Sequence, residues 1–199
     1  MLQLPFDKGM IRRATEWAEN LGGIYNSITK GDGNYAGRLG ELALAKHLGV
    51  EVEDRKDYDI IYEGKKIEVK TKRRAVKPKP EYTVNVASTS KHQKPDSYAF
   101  LSLEYTDRDS GGNYSDLLHI WLCGYKSAEQ FFKEAEFWPK GTPDPPAFKT
   151  HRDMYVLTIG ELDDRVWGRW ISKPVYPFFG SVDIRAAIQG NYDVRVGNA

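Results

Sequence analysis

Three side chains in the stretch Asp59 to Lys72, which reads DIIYEGKKIEVKTK, have the types and spacing to converge on one spot: the carboxylates of Asp59 and Glu68 and the amine of Lys70. Ile60, Ile61 and Tyr62 lead into Glu63-Gly64, and Ile67, Val69 and Thr71 then alternate with Glu68, Lys70 and Lys72. This is the pattern of two strands joined by a tight hairpin turn. Residues two apart in a strand share a face, so Glu68, Lys70 and Lys72 are predicted to point one way while Ile67 and Val69 point into a core. The hairpin folds Asp59 back to the level of Glu68. Two carboxylates held that close repel each other without a cation, so such an arrangement is either costly or built to hold a metal.

The elements around the hairpin must position these groups. A helix is predicted from about Tyr35 to Leu48, with Asn34 as cap and Gly49 after its end. Leu39, Leu42, Ala43, Leu44, Ala45 and Leu48 make it apolar around most of its circumference, and Gly37 and Gly40 remove bulk so that it packs closely on the sheet. Glu41 lies within this apolar surround. A partly buried carboxylate calls for a cation or a donor, which favours Glu41 as a third acid of the site over a surface salt-bridging role. An earlier helix, with Met10, Ile11, Ala14, Trp17, Ala18 and Leu21 at helical spacing, is predicted between Asp7 as cap and Gly22-Gly23 as stop. The residues from Ile24 to Asn34 carry turn chemistry and read as a loop beside the site.

Charge is nearly balanced over the 199 residues, with 29 Lys and Arg against 28 Asp and Glu, but it is unevenly placed. Between Lys65 and Lys79 stand eight basic residues (Lys65, Lys66, Lys70, Lys72, Arg73, Arg74, Lys77 and Lys79) and one acid, Glu68, which leaves an acidic remainder. A polyanion is the natural partner of such a run, through phosphate contacts that carry no sequence information. Lysines protecting an edge strand from aggregation are the equally weighted alternative. The single Cys123 and the four histidines (His47, His92, His119, His151) show no ligand spacing, so neither a disulfide framework nor a zinc site is indicated. No basic segment followed by an apolar run opens the chain, and no eighteen apolar residues run together, so the expectation is no membrane partner and a reducing cytoplasm.

The helix with Gly40-Glu41-Leu42-Ala43-Leu44-Ala45, then Tyr58-Asp59, then a hairpin to Glu68-Val69-Lys70, resembles the PD-(D/E)xK nuclease superfamily. The similarity covers roughly Tyr35 to Leu103, with a catalytic core of about 35–105, and Tyr58 stands where the nominal pattern has proline. It implies an α/β, restriction-endonuclease-like fold, a central mixed β-sheet flanked by helices, within one domain spanning 1–199. It also implies a Mg²⁺-dependent deoxyribonuclease, with Mn²⁺ able to substitute. Glu41, Asp59, Glu68 and Lys70 would be catalytic. Glu41, Asp59, Glu68 and the Val69 carbonyl would be metal ligands. Lys70 would hold and polarise the attacking water and stabilise the developing phosphorane charge. Lys72, Arg73, Arg74 and Lys77 would follow the DNA backbone past the site on an exposed face. Ser88 to Lys94 is polar, and since a Gln or Lys in a comparable place assists near the phosphate in related nucleases, Lys91, His92 and Gln93 are assigned to the nucleic-acid side. A bacterial or phage-infected cell is the setting the resemblance suggests.

The remainder supports this core. Tyr82, Val84 and Val86 alternate with polar residues as a strand expected to support the sheet, and Tyr98 to Leu103 is an apolar strand. Asp107 to Asn113 reads as a turn, Leu117 to Tyr125 as a strand, and Ser127 to Gln130 as the capping-box start of a helix with Phe131 and Phe132 in the core. A Pro-rich loop, 139–146, and a strand, 154–159, follow. Trp167, Trp170, Tyr176, Phe178 and Phe179 lie among Arg165, Arg169 and Lys173, where core or dimer packing is favoured over stacking on unpaired bases.

Endonuclease, exonuclease and Holliday-junction resolvase activities all stay open, with an endonuclease favoured because no helicase, methylase or specificity segment is recognisable. Enzymes that cut both strands often pair two sites, so a homodimer is an open expectation. A non-catalytic DNA-binding or assembly protein on the same fold is the rival from another class. It has no need for crowded acids. A glycosidase using Asp59 and Glu68 is a third, less suited to the adjacent lysines.

Overall fold

The computed structural model describes residues 1–21, 32–53, 55–106, 116–144, 148–166 and 169–170. The Gly22-Gly23 stop, most of the loop to Asn34, the 107–113 turn and the aromatic tail apart from the backbone at 170 lie outside these residues. In chain order the elements are β1 (Leu2–Leu4), α1 (Lys8–Leu21), α2 (Asp32–Leu48), β2 (Ile60–Tyr62), β3 (Lys65–Arg74), β4 (Thr83–Ala87), β5 (Ser97–Tyr105), β6 (Leu117–Ser127), α3 (Ala128–Glu134), β7 (Glu136–Trp138), β8 (Pro143–Asp144), β9 (Phe148–Lys149), β10 (Met154–Thr158), β11 (Arg165–Val166) and β12 (Arg169–Trp170). A single turn of 3₁₀ helix, Ser88–His92, links β4 to β5.

The expected hairpin forms with the expected register. Tyr62 pairs with Lys65 and Ile60 with Ile67, and Glu63 (φ 49°) and Gly64 (φ 76°) both lie in the left-handed region. A two-residue loop with positive φ at both positions is a type I′ turn, whose twist matches that of paired strands. Asp7 caps α1 by accepting from the Met10 amide at 2.9 Å. The second helix starts at Asp32, earlier than expected, so Asn34 is inside its first turn and is not the cap. Its end is as the sequence suggests: Gly49 takes φ 71° and the Val50 amide reaches back to the Ala45 carbonyl at 3.0 Å.

The main sheet has the order β1-β6-β5-β3-β2. The pair β3–β5 is parallel, whereas β1–β6, β5–β6 and β2–β3 are antiparallel, so the sheet is mixed. One face buries Ile67, Val69, Ala99, Leu101 and Leu103 beneath Leu39, Leu42 and Ala43 of α2. The opposite face carries Tyr98 and Phe100 and meets Phe131 of α3 and Val84, Val86 and Leu157. Those last three belong to a second antiparallel sheet, β4-β10-β7. The strand at 83–87 supports the main sheet as expected, and does so from a separate sheet: its valines cover the main sheet's second face. The molecule is a mixed α/β structure in which both faces of a curled sheet are covered. Among the described residues no helix is long and apolar enough to cross a membrane.

Candidate active site

The placement of the site follows from where β2 begins. Pairing of β2 with β3 extends to Ile60 opposite Ile67, and the Asp59 amide donates to the Ile67 carbonyl at 2.9 Å. Beyond that point β3 has no strand partner on this edge among the described residues. The Val69 amide instead donates to Asp59 Oδ2 at 2.7 Å. In a strand the amide and carbonyl of one residue point to the same edge, so the Val69 carbonyl also faces the open edge where Asp59 stands. An open edge lets groups from both faces of the sheet approach one another.

Glu68 and Lys70 come from the β4 side of the sheet, with Glu68 opposite Tyr98 and Lys70 opposite Phe100 in β5. Glu68 is buried, at 7% exposure, and the Lys70 ammonium donates to its Oε1 at 2.6 Å. Glu41 arrives from α2 on the other face, half-buried as expected from its apolar neighbours. Its Oε2 accepts from Arg38 Nη1 at 3.1 Å. Gly40 brings the helix in this close: a Cβ there would collide with Thr71 Oγ1 and lie 3.3 Å from Thr71 Cβ.

Electrostatics ties the acids into one unit. Burial pushes the Asp59 carboxyl up to about 8, and the charges of Glu41 and then Glu68 push the same way, against the Val69 amide and Lys70. Burial is the larger cause, and the two neighbouring carboxylates add to it. Burial, and then Glu68, also raise the neighbouring Tyr98 phenol to about 12.

Arg38 was not singled out by sequence reasoning. It lies one helical turn before Glu41, and its guanidinium sits 5.0 Å from the centre of the Trp17 ring of α1. The i,i+3 spacing of Arg38 and Glu41 is the signal that the sequence carries. The cation that a half-buried Glu41 requires is thus supplied first by the protein itself.

Compared with family models, with characterised proteins and with solved structures, the chain shows no match.

Among the described residues, no three His, Cys, Asp or Glu side chains are gathered closely enough to hold a metal ion as they stand. The donor set nevertheless suits a hard cation. Glu41, Asp59 and Glu68 supply carboxylate oxygens, the Val69 carbonyl faces the same edge, and their mutual repulsion is what a cation would relieve.

The basic residues divide into two groups. Arg73, Lys77, Lys91 and His92 are exposed. Lys72 and Arg74 are not, which corrects the expectation of a continuous exposed basic face. Lys72 donates to Thr83 Oγ1 at 2.9 Å and lies 3.7 Å from Asp144 Oδ2. Arg74 donates to the Thr83 carbonyl at 2.7 Å and stacks over Tyr82 at 5.0 Å. The cause is the second sheet, which covers this face of β3 and turns its alternating cations inward. Arg73 points to the opposite face by strand alternation. Lys77 lies 4.5 Å over the Trp121 ring, and Lys91 5.3 Å over Tyr155. Gln93 joins the site indirectly: its Nε2 donates to the Lys56 carbonyl at 2.6 Å, fastening the 3₁₀ turn to the segment that leads into Asp59.

Proposed function

We propose that this chain is a Mg²⁺-dependent deoxyribonuclease with a restriction-endonuclease-like fold, hydrolysing DNA phosphodiester bonds as an endonuclease. What supports the reading is that Glu41 of α2 and Glu68 of β3 both act electrostatically on the buried Asp59 carboxyl just before β2, with Lys70 2.6 Å from Glu68. Asp59, Glu68 and the Val69 carbonyl would hold Mg²⁺, with Glu41 alongside. Bound there, Mg²⁺ supplies charge neutralisation on the non-bridging phosphate oxygens and acidifies a bound water. Mn²⁺ has the same oxygen preference.

The protein's own groups do the rest. The Lys70 ammonium, beside Glu68 in the fold, would orient the attacking water and stabilise charge developing on the phosphate. Arg38 holds the Glu41 carboxylate in place from the helix side. The exposed Arg73, Lys77 and Lys91 are candidates for phosphate contacts outside the centre, and Gln93 positions the segment before Asp59. A homodimer and a cytoplasmic setting fit this activity.

Plasmid cleavage in Mg²⁺ tests the proposal. Parent protein is expected to nick or linearise a circular substrate, and Asp59→Ala and Lys70→Ala proteins with unchanged circular dichroism are expected to lose that activity. Variants that cut at the parental rate would refute it. A circle that survives while linear DNA is shortened would replace the endonuclease with an exonuclease.

A further inference from the structure

Phe137 of β7 is 50% exposed, and a single exposed apolar side chain needs no explanation of its own. Its surroundings set it apart. In the antiparallel register Phe137 stands opposite Tyr155 of β10, on the face of the second sheet that carries Val84, Val86 and Leu157. The centres of the Phe137 and Tyr155 rings are 5.4 Å apart, and Phe132 of α3 meets Tyr155 edge-on at 5.0 Å. Phe132 also packs edge-on against Tyr98 at 6.0 Å, and Tyr98 is the neighbour of Glu68 in the main sheet. A chain of packed rings thus links the exposed one to the acid centre.

Lys91 supplies a charge beside it. Its ammonium lies 5.3 Å from the centre of the Tyr155 ring and 5.8 Å from that of Phe132, and its hydrogen bond to the Tyr155 hydroxyl is long, at 3.4 Å. An ammonium has three donors, and both Lys91 and His92 are exposed. The acids nearby do not cancel this charge. Glu136 is paired with Val156, so alternation turns it to the other face of the sheet, and Glu129 on α3 is matched by Lys133 one turn on. Two residues after Lys91, the Gln93 side chain holds the Lys56 carbonyl at 2.6 Å, which places this surface next to the segment leading into Asp59.

An exposed flat ring flanked by an amine has the two features that a nucleotide needs, a face for the base and a donor for its phosphate. A protein partner would need a broader apolar area. Among the described residues, Phe137 is the one large exposed hydrophobic of the second sheet.

We propose that Phe137 and Lys91 form a stacking site for an unpaired nucleotide, the base lying on the Phe137 ring and the phosphate meeting the Lys91 ammonium, so that the preferred substrate carries a single-stranded segment close to the bond cut. That the strand is a substrate rests on the nuclease reading above; the stacking site itself rests on the ring and the amine.

Anisotropy of a fluorescent oligothymidylate bound to the full chain without divalent metal tests it, beside an abasic strand of equal length and charge. The parent is expected to bind the thymidylate strand about tenfold tighter than the abasic one. Phe137→Ala is expected to lose that advantage with the slope of log K against log salt unchanged, and Phe137→Trp to keep it. Lys91→Gln is expected to lower the slope by about 0.7 on both strands. The comparison of the two strands on the parent needs no variant and stays decisive if Phe137→Ala misfolds. Equal affinity of the parent for both strands, or parental preference in a folded Phe137→Ala, would overturn the site; self-association that Phe137→Ala abolishes, without any base preference, would assign the ring to a protein contact instead. Absence of DNA cleavage in Mg²⁺ would overturn the nuclease reading alone, because the binding preference is measured without it.

Discussion

The two faces of β3 are made from alternate residues of one ten-residue strand, yet they are built on opposite principles. On the α2 side, Ile67, Val69 and Thr71 meet a helix whose Gly40 permits near-contact, and apolar burial holds the layers together. On the β4 side, Glu68, Lys70, Lys72 and Arg74 place four charges in sequence under a second sheet, each with a partner of its own. The first face stabilises the fold. The second keeps half-buried charge in position, at a cost the first must cover. The open edge beyond Ile67 is where the two meet, and there Asp59 collects the field of acids from both sides.

This contrast is broken most severely at Lys70. Lys70→Ala is expected to lower the rate of DNA cleavage per folded molecule about 10³-fold, equivalent to about 4 kcal/mol of barrier, and, because it leaves the buried Glu68 without its ammonium, to lower the melting temperature as well; the steady-state rate and a thermal melt report the two. Ile67→Ala, one residue from Glu68 but on the other face, should affect stability alone. Ile67 is fully buried, so its truncation is expected to cost about 3 kcal/mol in urea unfolding, with cleavage per folded molecule unchanged.

Gly40→Ala probes how closely the faces are coupled. The added methyl must displace Thr71, which overpacking data put at about 1–3 kcal/mol, offset by up to about 1 kcal/mol of helix propensity. A net loss of about 1 kcal/mol is expected. If α2 shifts to relieve the clash, Glu41 moves with it and the raised pKa of Asp59 should fall, which carboxyl-resolved NMR titration would detect.

The smallest effect has an opposite sign. Asp59 titrates near 8 in the fold against an ordinary value of 3.8. Stability that it contributes is complete below about 4 and is lost as pH rises through 8. Asp59→Asn carries no such charge. Without metal it is therefore expected to melt above the parent at pH 8, by about 1 kcal/mol or about 2–4 °C, and near the parent at pH 4. Adding Mg²⁺ should raise the parent's melting temperature and leave the variant's unchanged.

Much of this contrast is legible in the sequence because a strand has period two. The alternation from Ile67 to Lys72 and the Glu63-Gly64 turn specify the hairpin, its register and the shared face of Glu68 and Lys70. Glycine 40 and its apolar neighbours likewise announce a tightly packed helix bearing Glu41. What the alternation does not encode is what lies above each face. Val84 and Val86 alternate as they would in either sheet, so their assignment to a covering layer depends on contacts with Phe100, Phe131 and Leu157 that are distant in the chain. Without that layer, Lys72 and Arg74 read as surface cations. Arg38 was hidden for a similar reason, since an arginine on a helix is ordinarily solvated and its stacking on Trp17 is a tertiary event.

Calorimetric titration of Mg²⁺ into the protein at pH 7, repeated in two buffers of different ionisation enthalpy, tests the acid centre most directly. Because Asp59 is largely protonated at that pH when no cation is present, binding is expected to release close to one proton, with the release fading above pH 8 and both binding and release lost in Asp59→Asn. No Mg²⁺ binding by the parent, or binding that persists undiminished in Asp59→Asn, would contradict a cation-holding centre at this edge.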